Sequence, residues 1–290
     1  MQFLHQDFEI KHKNTFYSPL VEPNVLYVEI YPLYICNYKC FFCYIKNDYK
    51  NKKHPMMTRK NINDVLDSIE KSRYKVNLIV LGGEPLLYPY LNDILIRDFY
   101  RITLISNGSK KICGLNHKNN FEVTLSYYPN YCKDDNTFIQ NMQYLHKNNI
   151  NCTINVMKLT DDLRSERIVK IANDYNFPVE ITPIIFKNKV VNKNVDFSKN
   201  DDDIFYYNSR AMSNFDVERE HLSFKDWSCL QSFFMIMADG SINQGCEISV
   251  DNIFTNRDFF KNYKIIDKKC QKEFCRYDSY LAQYKYNDEI

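Results

Sequence analysis

Ten cysteines stand in this 290-residue chain, and seven of them fall into two sets. Cys36, Cys40 and Cys43 crowd into one short loop, Cys36-Asn37-Tyr38-Lys39-Cys40-Phe41-Phe42-Cys43, while Cys229, Cys246, Cys270 and Cys275 lie in the last quarter. Residues Met1 to Lys13 are polar and charged, with no basic segment leading into an apolar one, so no export signal is read. In the reducing cytoplasm, the compartment this implies, so many thiols favour metal binding or catalysis over a disulfide framework. An iron–sulfur cubane takes one thiolate per iron. Three local thiolates therefore leave one iron open, by the logic that gives catalytic zinc its open position. An open iron can bind a reacting molecule. The competing reading is a structural zinc loop that borrows a fourth ligand such as His54.

Further polar motifs follow at intervals. Gly82-Gly83-Glu84-Pro85 sets two glycines, which let a ligand approach the backbone, beside a carboxylate that can hold a cationic amine. The bland alternative is a turn with a surface Glu. Ser106-Asn107-Gly108 and Ser126-Tyr127 offer side chains suited to hydrogen bonding a ribose or a carboxylate. Each motif is weak alone; their order along the chain makes them a set.

That order is the order of predicted strand ends. Apolar and β-branched runs predict strands at Val25–Ile35, Asn77–Leu81, Arg101–Ile105, Phe121–Leu125, Asn151–Met157 and Val179–Ile185. Between them, helical spacing recurs. After Thr58, a predicted N-cap, come Ile62, Val65, Leu66 and Ile69; then Leu91, Ile94 and Leu95; Phe138, Met142 and Leu145; and Leu163, Ile168, Ile171 and Ala172. Alternating βα units with near-continuous apolar strands predict an α/β fold, a parallel sheet with helices on one face forming an open, partial (β/α)6 barrel. Such barrels place function at the C-terminal ends of their strands. After a polar stretch at Lys187–Asp203, a helix is expected over Asp203–Met212. A small second domain is expected from about His221, with strands at Phe233–Met237 and around Ile242 joined by the turn Ala238-Asp239-Gly240.

The cysteine loop after strand one, Gly-Gly-Glu-Pro after strand two and Ser-Asn-Gly after strand three together resemble the radical S-adenosylmethionine (SAM) superfamily, over roughly Val25 to Ile185. The resemblance implies a 4Fe–4S cluster on Cys36, Cys40 and Cys43, whose open iron is chelated by SAM. It further implies reductive cleavage of SAM to methionine and a 5′-deoxyadenosyl radical that abstracts a substrate hydrogen. By position, Phe42 would lie near the adenine, and Gly82, Gly83, Glu84 and Pro85 would form the SAM turn, with Glu84 receiving the methionyl ammonium. Ser106, Asn107 and Ser126 would meet the ribose and carboxylate. The late cysteines, with Asp239-Gly240 and Asn252-Ile253 between them, resemble the auxiliary-cluster extensions called twitch and SPASM domains, which implies a second 4Fe–4S cluster. Two departures stand out: the spacing from Gly240 to Cys246 is one residue longer than usual, and Tyr277 stands where some relatives have a further cysteine. Zinc or free thiols are the alternative for this set. The expected division is an N-terminal extension (1–24), the barrel (25–200), a linker helix (201–220) and a small C-terminal auxiliary-cluster domain (221–290).

The rest of the chain excludes more than it adds. Lys plus Arg number 38 against 36 for Asp plus Glu, and the net charge of +2 gives no footprint for nucleic acid. No apolar run approaches the ~18 residues of a membrane span. Cys113 and Cys152 read as small buried residues. Cys132 is placed by its sequence position on the functional side after strand four, where its thiol is a candidate hydrogen donor. The 23 Tyr and 20 Phe read as core.

The leading expectation is a radical SAM oxidoreductase or epimerase acting on a small polar substrate of the sugar or aminocyclitol type. An external one-electron donor such as flavodoxin or ferredoxin would reduce it. A peptide-modifying enzyme shares the architecture, but many of those carry a leader-binding domain before the cluster loop, where this chain has 35 residues. A molybdenum-cofactor cyclase would end in Gly-Gly, and this sequence ends Asn287-Asp288-Glu289-Ile290. A zinc-stabilised binding protein is the expectation from a different class.

Overall fold

The structure, a computed structural model, describes residues 14–16, 24–40, 43, 56–118, 120–158, 163–183, 185–186, 189–190, 204–205, 226–244, 247–269 and 285–287. Six strands run parallel: β1 (Val25–Ile30), β2 (Lys75–Val80), β3 (Arg101–Ser106), β4 (Phe121–Tyr127), β5 (Asn151–Lys158) and β6 (Val179–Pro183). They pair in sequence order. All six match the predicted strands to within a few residues, except that the first and last stop early, at Ile30 and Pro183. Three later strands, β7 (Phe233–Ile236), β8 (Ser241–Gln244) and β9 (Glu247–Asn252), extend the same sheet on the far side of β1. The full order is β9-β8-β7-β1-β2-β3-β4-β5-β6, a mixed α/β partial barrel.

The helices pack on one face of this sheet. In α1 (Arg59–Glu70), Ile62, Val65, Leu66 and Ile69 are buried as their spacing predicts, each worth roughly 1.5–3 kcal/mol. The Thr58 hydroxyl accepts from Asn61 N at 3.2 Å and caps the helix start. These side chains share one core with Leu26, Val28 and Ile30 of β1 and with Leu78 and Val80 of β2. α2 (Leu91–Leu95), α3 (Asp135–Lys147) and α4 (Leu163–Asp174) continue the layer. In α4, Ile168 and Ala172 are buried, but Leu163 is 82% exposed because it begins the helix on the solvent side.

Three expectations change. No helix joins β3 to β4 among the described residues. A loop does this work, held by Asn141 of α3, whose Nδ2 donates to Gly108 O and Lys110 O and whose Oδ1 accepts from Ile112 N. Within the helix expected over Asp203–Met212, the described residues Ile204–Phe205 are a short strand paired with Ile185–Phe186. Finally, the segment from 226 does not stand apart from the barrel. β7 pairs in parallel with β1, from Phe233 opposite Tyr27 to Ile236 opposite Ile30. The tail also lies on α1, where Ser68 Oγ donates to Arg257 O at 2.7 Å. The turn at Asp239-Gly240 forms as predicted: Asp239 Oδ1 accepts from Ser241 N, and Gly240 has φ +82°. A separate four-stranded sheet orders Asn14–Phe16, Lys285–Asn287, Ser228–Leu230 and Asp267–Lys269. No described helix is long and apolar enough to cross a membrane.

Candidate active site

The cysteine loop leaves β1 and returns to the same place. Leu33 bridges to Met56, and Met57 N donates to Pro32 O at 2.7 Å, so the excursion between them starts and ends side by side. Cys36, Cys40 and Cys43 all line one cavity of about 800 Å³ at the C-terminal mouth of the parallel strands. The loop makes its own turn, with Cys43 N donating to Cys40 O. Two N–H groups point at the first sulfur: Tyr38 N at 3.3 Å and Asn107 Nδ2 at 3.8 Å from Cys36 Sγ. Burial pushes the Cys36 thiol up to about 11, against those donors and with help from Glu84 and Cys43. Burial, then Cys43 and Cys36, raise Cys40 further.

The glycines have a reason the sequence did not disclose. Gly82 and Gly83 lie against the backbone that leads into Cys36, not only against the cavity. A Cβ on Gly82 would stand 2.4 Å from Leu33 O, and one on Gly83 would stand 2.1 Å from Ile35 O. Gly83 N donates to Leu33 O at 2.9 Å and Glu84 N to Ile35 O at 2.8 Å, which locks the two segments together. Because the obstacle is backbone, Gly83→Ala must displace the cysteine loop. It is expected to cost about 1–3 kcal/mol or more, as overpacking does. Urea denaturation of the cluster-free chain measures this, and an unchanged midpoint would show that the loop shifts freely.

Glu84 is wholly buried. Its Oε1 accepts from Ser106 Oγ at 2.7 Å and from Leu86 N at 3.0 Å, and its Oε2 accepts from Asn107 N at 2.8 Å. Burial raises its pKa, while those three donors pull it back. Glu84 is therefore not the surface residue of the bland alternative: it lines the cavity and also ties the ends of β2 and β3 together. Pro85 is buried at the start of a 3-10 turn, Pro85–Leu87, and does not line the cavity. Ser106 and Asn107 do, as does Ser126 of β4. Asn107 Nδ2 also donates to Asn37 Oδ1, whose own amide donates to Ser109 Oγ, so the cysteine loop is fastened to the end of β3.

Other expected residues lie elsewhere. Cys132 is buried behind the wall, beside the Tyr38 hydroxyl and Asp135, and does not line the cavity. Cys113, expected inside, is exposed, because Ile112 next to it takes the buried position in the β3–β4 loop. Cys152 is buried as expected. Cys229 is buried on Ser228–Leu230, and the strand Asp267–Lys269 that immediately precedes Cys270 in sequence pairs with it. Phe42, His54, Cys246, Cys270 and Cys275 lie outside the described residues.

The cavity wall holds residues that no motif announced. Every second strand residue faces inward, and many of these are polar: Glu29, Asn77, Thr103, Glu122, Thr124, Asn155 and Glu180. Their signal was present as single polar residues at period two within apolar strands. Two carboxylates are set by hydroxyls: Glu29 accepts from Tyr31 at 2.8 Å and Glu122 from Thr103 at 2.6 Å.

This donor set can be tested against a cluster. Among the described residues, no three His, Cys, Asp or Glu side chains converge as a single metal ion requires. Thiolates that each serve a separate iron need not share one point. The three thiols on one cavity wall, with N–H donors aimed at Cys36, fit a cubane.

The radical SAM superfamily profile matches residues 30–173. No curated protein matches the chain in sequence. Among solved structures, Streptococcus suis SuiB is 16% identical with a TM-score of 0.50, covering 84% of this chain and 67% of SuiB. The same protein bound to S-adenosylmethionine gives 15% and 0.49, covering 86% and 64%. BtrN in complex with AdoMet and 2-DOIA gives 12% and 0.42, covering 87% and 84%. The chain thus spans about two thirds of the length of SuiB. The SuiB likeness at 0.50 supports the fold. With the profile lying over the cysteine loop and its partner strands, the chain belongs to the radical SAM superfamily.

Proposed function

We propose that this chain is a radical SAM oxidoreductase or epimerase acting on a small polar substrate seated inside the barrel. One observation carries the reading: three thiols, a glycine turn and polar strand ends meet at the mouth of a cavity whose inner wall carries polar side chains among apolar ones. When bound, a reduced 4Fe–4S cluster and SAM supply a 5′-deoxyadenosyl radical for hydrogen abstraction. Cys36, Cys40 and Cys43 would hold the cluster, and Asn107 and Tyr38 N would tune Cys36 by hydrogen bonding its sulfur. Gly82 and Gly83 would present backbone to SAM, Phe42 would lie near its adenine, and Ser126 and Asn107 would meet its polar groups. Glu84, which lines the same cavity, would receive the methionyl ammonium and would also fix Ser106 and Asn107 in place. Deeper in the barrel, Glu29, Thr103 and Glu122 offer acceptors and hydroxyls that suit a polyol or an amine of the sugar or aminocyclitol type.

A short peptide is the second reading. The polar residues that line the cavity from Glu29 on β1 to Glu180 on β6 would also offer donors and acceptors to a peptide backbone. In either case a flavodoxin or ferredoxin in the cytoplasm would supply the electron. Cys229, Cys246, Cys270 and Cys275 would hold a second, fully protein-ligated 4Fe–4S cluster in the C-terminal segment, suited to accept an electron from a substrate radical.

Anaerobic reconstitution followed by iron analysis and a dithionite–SAM assay tests this. About eight irons per chain are expected, four per cubane, with formation of 5′-deoxyadenosine. Four irons with deoxyadenosine would remove the second cluster and leave the first. Bound zinc with no deoxyadenosine would defeat the whole reading.

A further inference from the structure

Arg164 sits in the first turn of α4, where a cation meets the unfavourable end of the helix dipole. Its position is explained by what it reaches. Nη1 donates to Pro129 O at 2.8 Å and Nη2 to Cys132 O at 2.7 Å. Nε donates to Asp135 Oδ2 at 3.0 Å and Nη2 to Asp135 Oδ1 at 2.6 Å. Asp135 Oδ1 also accepts from the Tyr127 hydroxyl at 2.8 Å. One guanidinium therefore ties the entry, the middle and the exit of the loop between β4 and α3.

That loop does not merely connect. Tyr131 N and Cys132 N both donate to Tyr128 O, folding it into a tight turn. The turn presents two rings to Tyr38 in the middle of the cysteine loop. Tyr128 meets Tyr38 edge-on, with centroids 6.1 Å apart, and Tyr131 meets it at 6.4 Å. Tyr38 and Tyr128 both line the cavity, while Arg164 does not. Tyr38 N is the donor to Cys36 Sγ. A continuous set of contacts thus runs from α4 through the loop to the first cysteine.

We infer that Arg164 is a positioning residue: by clamping the β4–α3 loop it holds Tyr128 and Tyr131 against Tyr38 and so fixes the cysteine loop in its cluster-binding shape. The clamp is built for this, because a planar guanidinium makes four bonds at once, two to carbonyls and a two-point grip on one carboxylate, where a lysine ammonium has only three donors and no planar fork. The inference rests on the reading of Cys36, Cys40 and Cys43 as cluster ligands, and its test has one arm that does not.

The first arm uses the full chain without cluster. Cys132, buried under the clamped loop, is alkylated with iodoacetamide and followed by mass spectrometry of its peptide. Arg164→Met is expected to raise the labelling rate about tenfold or more, since local opening follows the loss of charge-assisted hydrogen bonds. Arg164→Lys should fall between Met and wild type. If the Met variant does not fold, Asp135→Asn removes the carboxylate half of the clamp and should raise labelling in the same direction. The second arm uses reconstituted protein. The Met variant should lose iron to a chelator faster than wild type and alter the electron paramagnetic resonance signal of the reduced cluster with SAM, with partial rescue by Lys. Unchanged labelling would overturn the clamp. Faster labelling with iron loss and spectrum unchanged would leave Arg164 a loop staple with no hold on the cysteines, and would overturn the inference. A wild type that takes up no iron would instead fail the cluster reading, and the inference that depends on it, while the labelling arm still reports on the clamp.

Discussion

Replacing Cys40 by alanine is expected to leave no detectable 5′-deoxyadenosine when the reconstituted protein meets dithionite and SAM. The three cysteines of the loop are not interchangeable with the others. Cys40 is 9% exposed, between Cys36 and Cys43 on the cavity wall, and its carbonyl holds the turn that brings Cys43 round. Three thiolates are the least that hold a cubane with one iron open, so losing one removes the cluster and not merely part of its affinity. Cys113→Ala is the matched control, since Cys113 is exposed, does not line the cavity, and its loss should leave both cluster and deoxyadenosine unchanged. Deoxyadenosine at wild-type levels from Cys40→Ala would take that cysteine out of the ligand set.

How much of this was legible before the structure follows from where each signal is written. The six parallel strands and α1 were readable because their buried sides are apolar with regular period. Leu26, Val28 and Ile30, and then Ile62, Val65, Leu66 and Ile69, meet in one core, so local pattern and tertiary packing agree. The cysteine loop was readable because its ligands are close in sequence. What escaped is non-local. β7 looks like any short strand, and nothing in Phe233–Ile236 says that it will pair with β1 some two hundred residues earlier. The loop in place of a helix between β3 and β4 depends on Asn141, a polar residue buried in α3 that sequence periodicity counts only as an interruption. Arg164 was invisible for the same reason: its four bonds go to residues about thirty positions upstream. The two glycines were recognised, but for a ligand's approach; half of their meaning is the approach of Leu33 and Ile35.

Glu84 gives the second large expected effect, and it is one of stability before it is one of binding. Glu84→Ala should leave three buried donors, Ser106 Oγ, Asn107 N and Leu86 N, without their acceptor. Each unsatisfied buried donor costs roughly 1–3 kcal/mol, so the loss is expected to reach several kcal/mol. Glu84→Gln separates the contributions. Its amide keeps one oxygen and turns the other into a donor, which must face either Asn107 N or the Ser106–Leu86 pair. It should therefore cost about 1–3 kcal/mol in the cluster-free chain, measured by urea denaturation. In the reconstituted protein the same change should lower cluster retention, because Asn107, whose N–H is held by Glu84, also contacts Cys36 and Asn37. A residue that served only to receive the SAM ammonium would behave differently. Its Gln variant would unfold with the wild type and hold iron equally well, and would lose only SAM affinity. That pattern would leave Glu84 a ligand to SAM alone and would make the three hydrogen bonds incidental to its role.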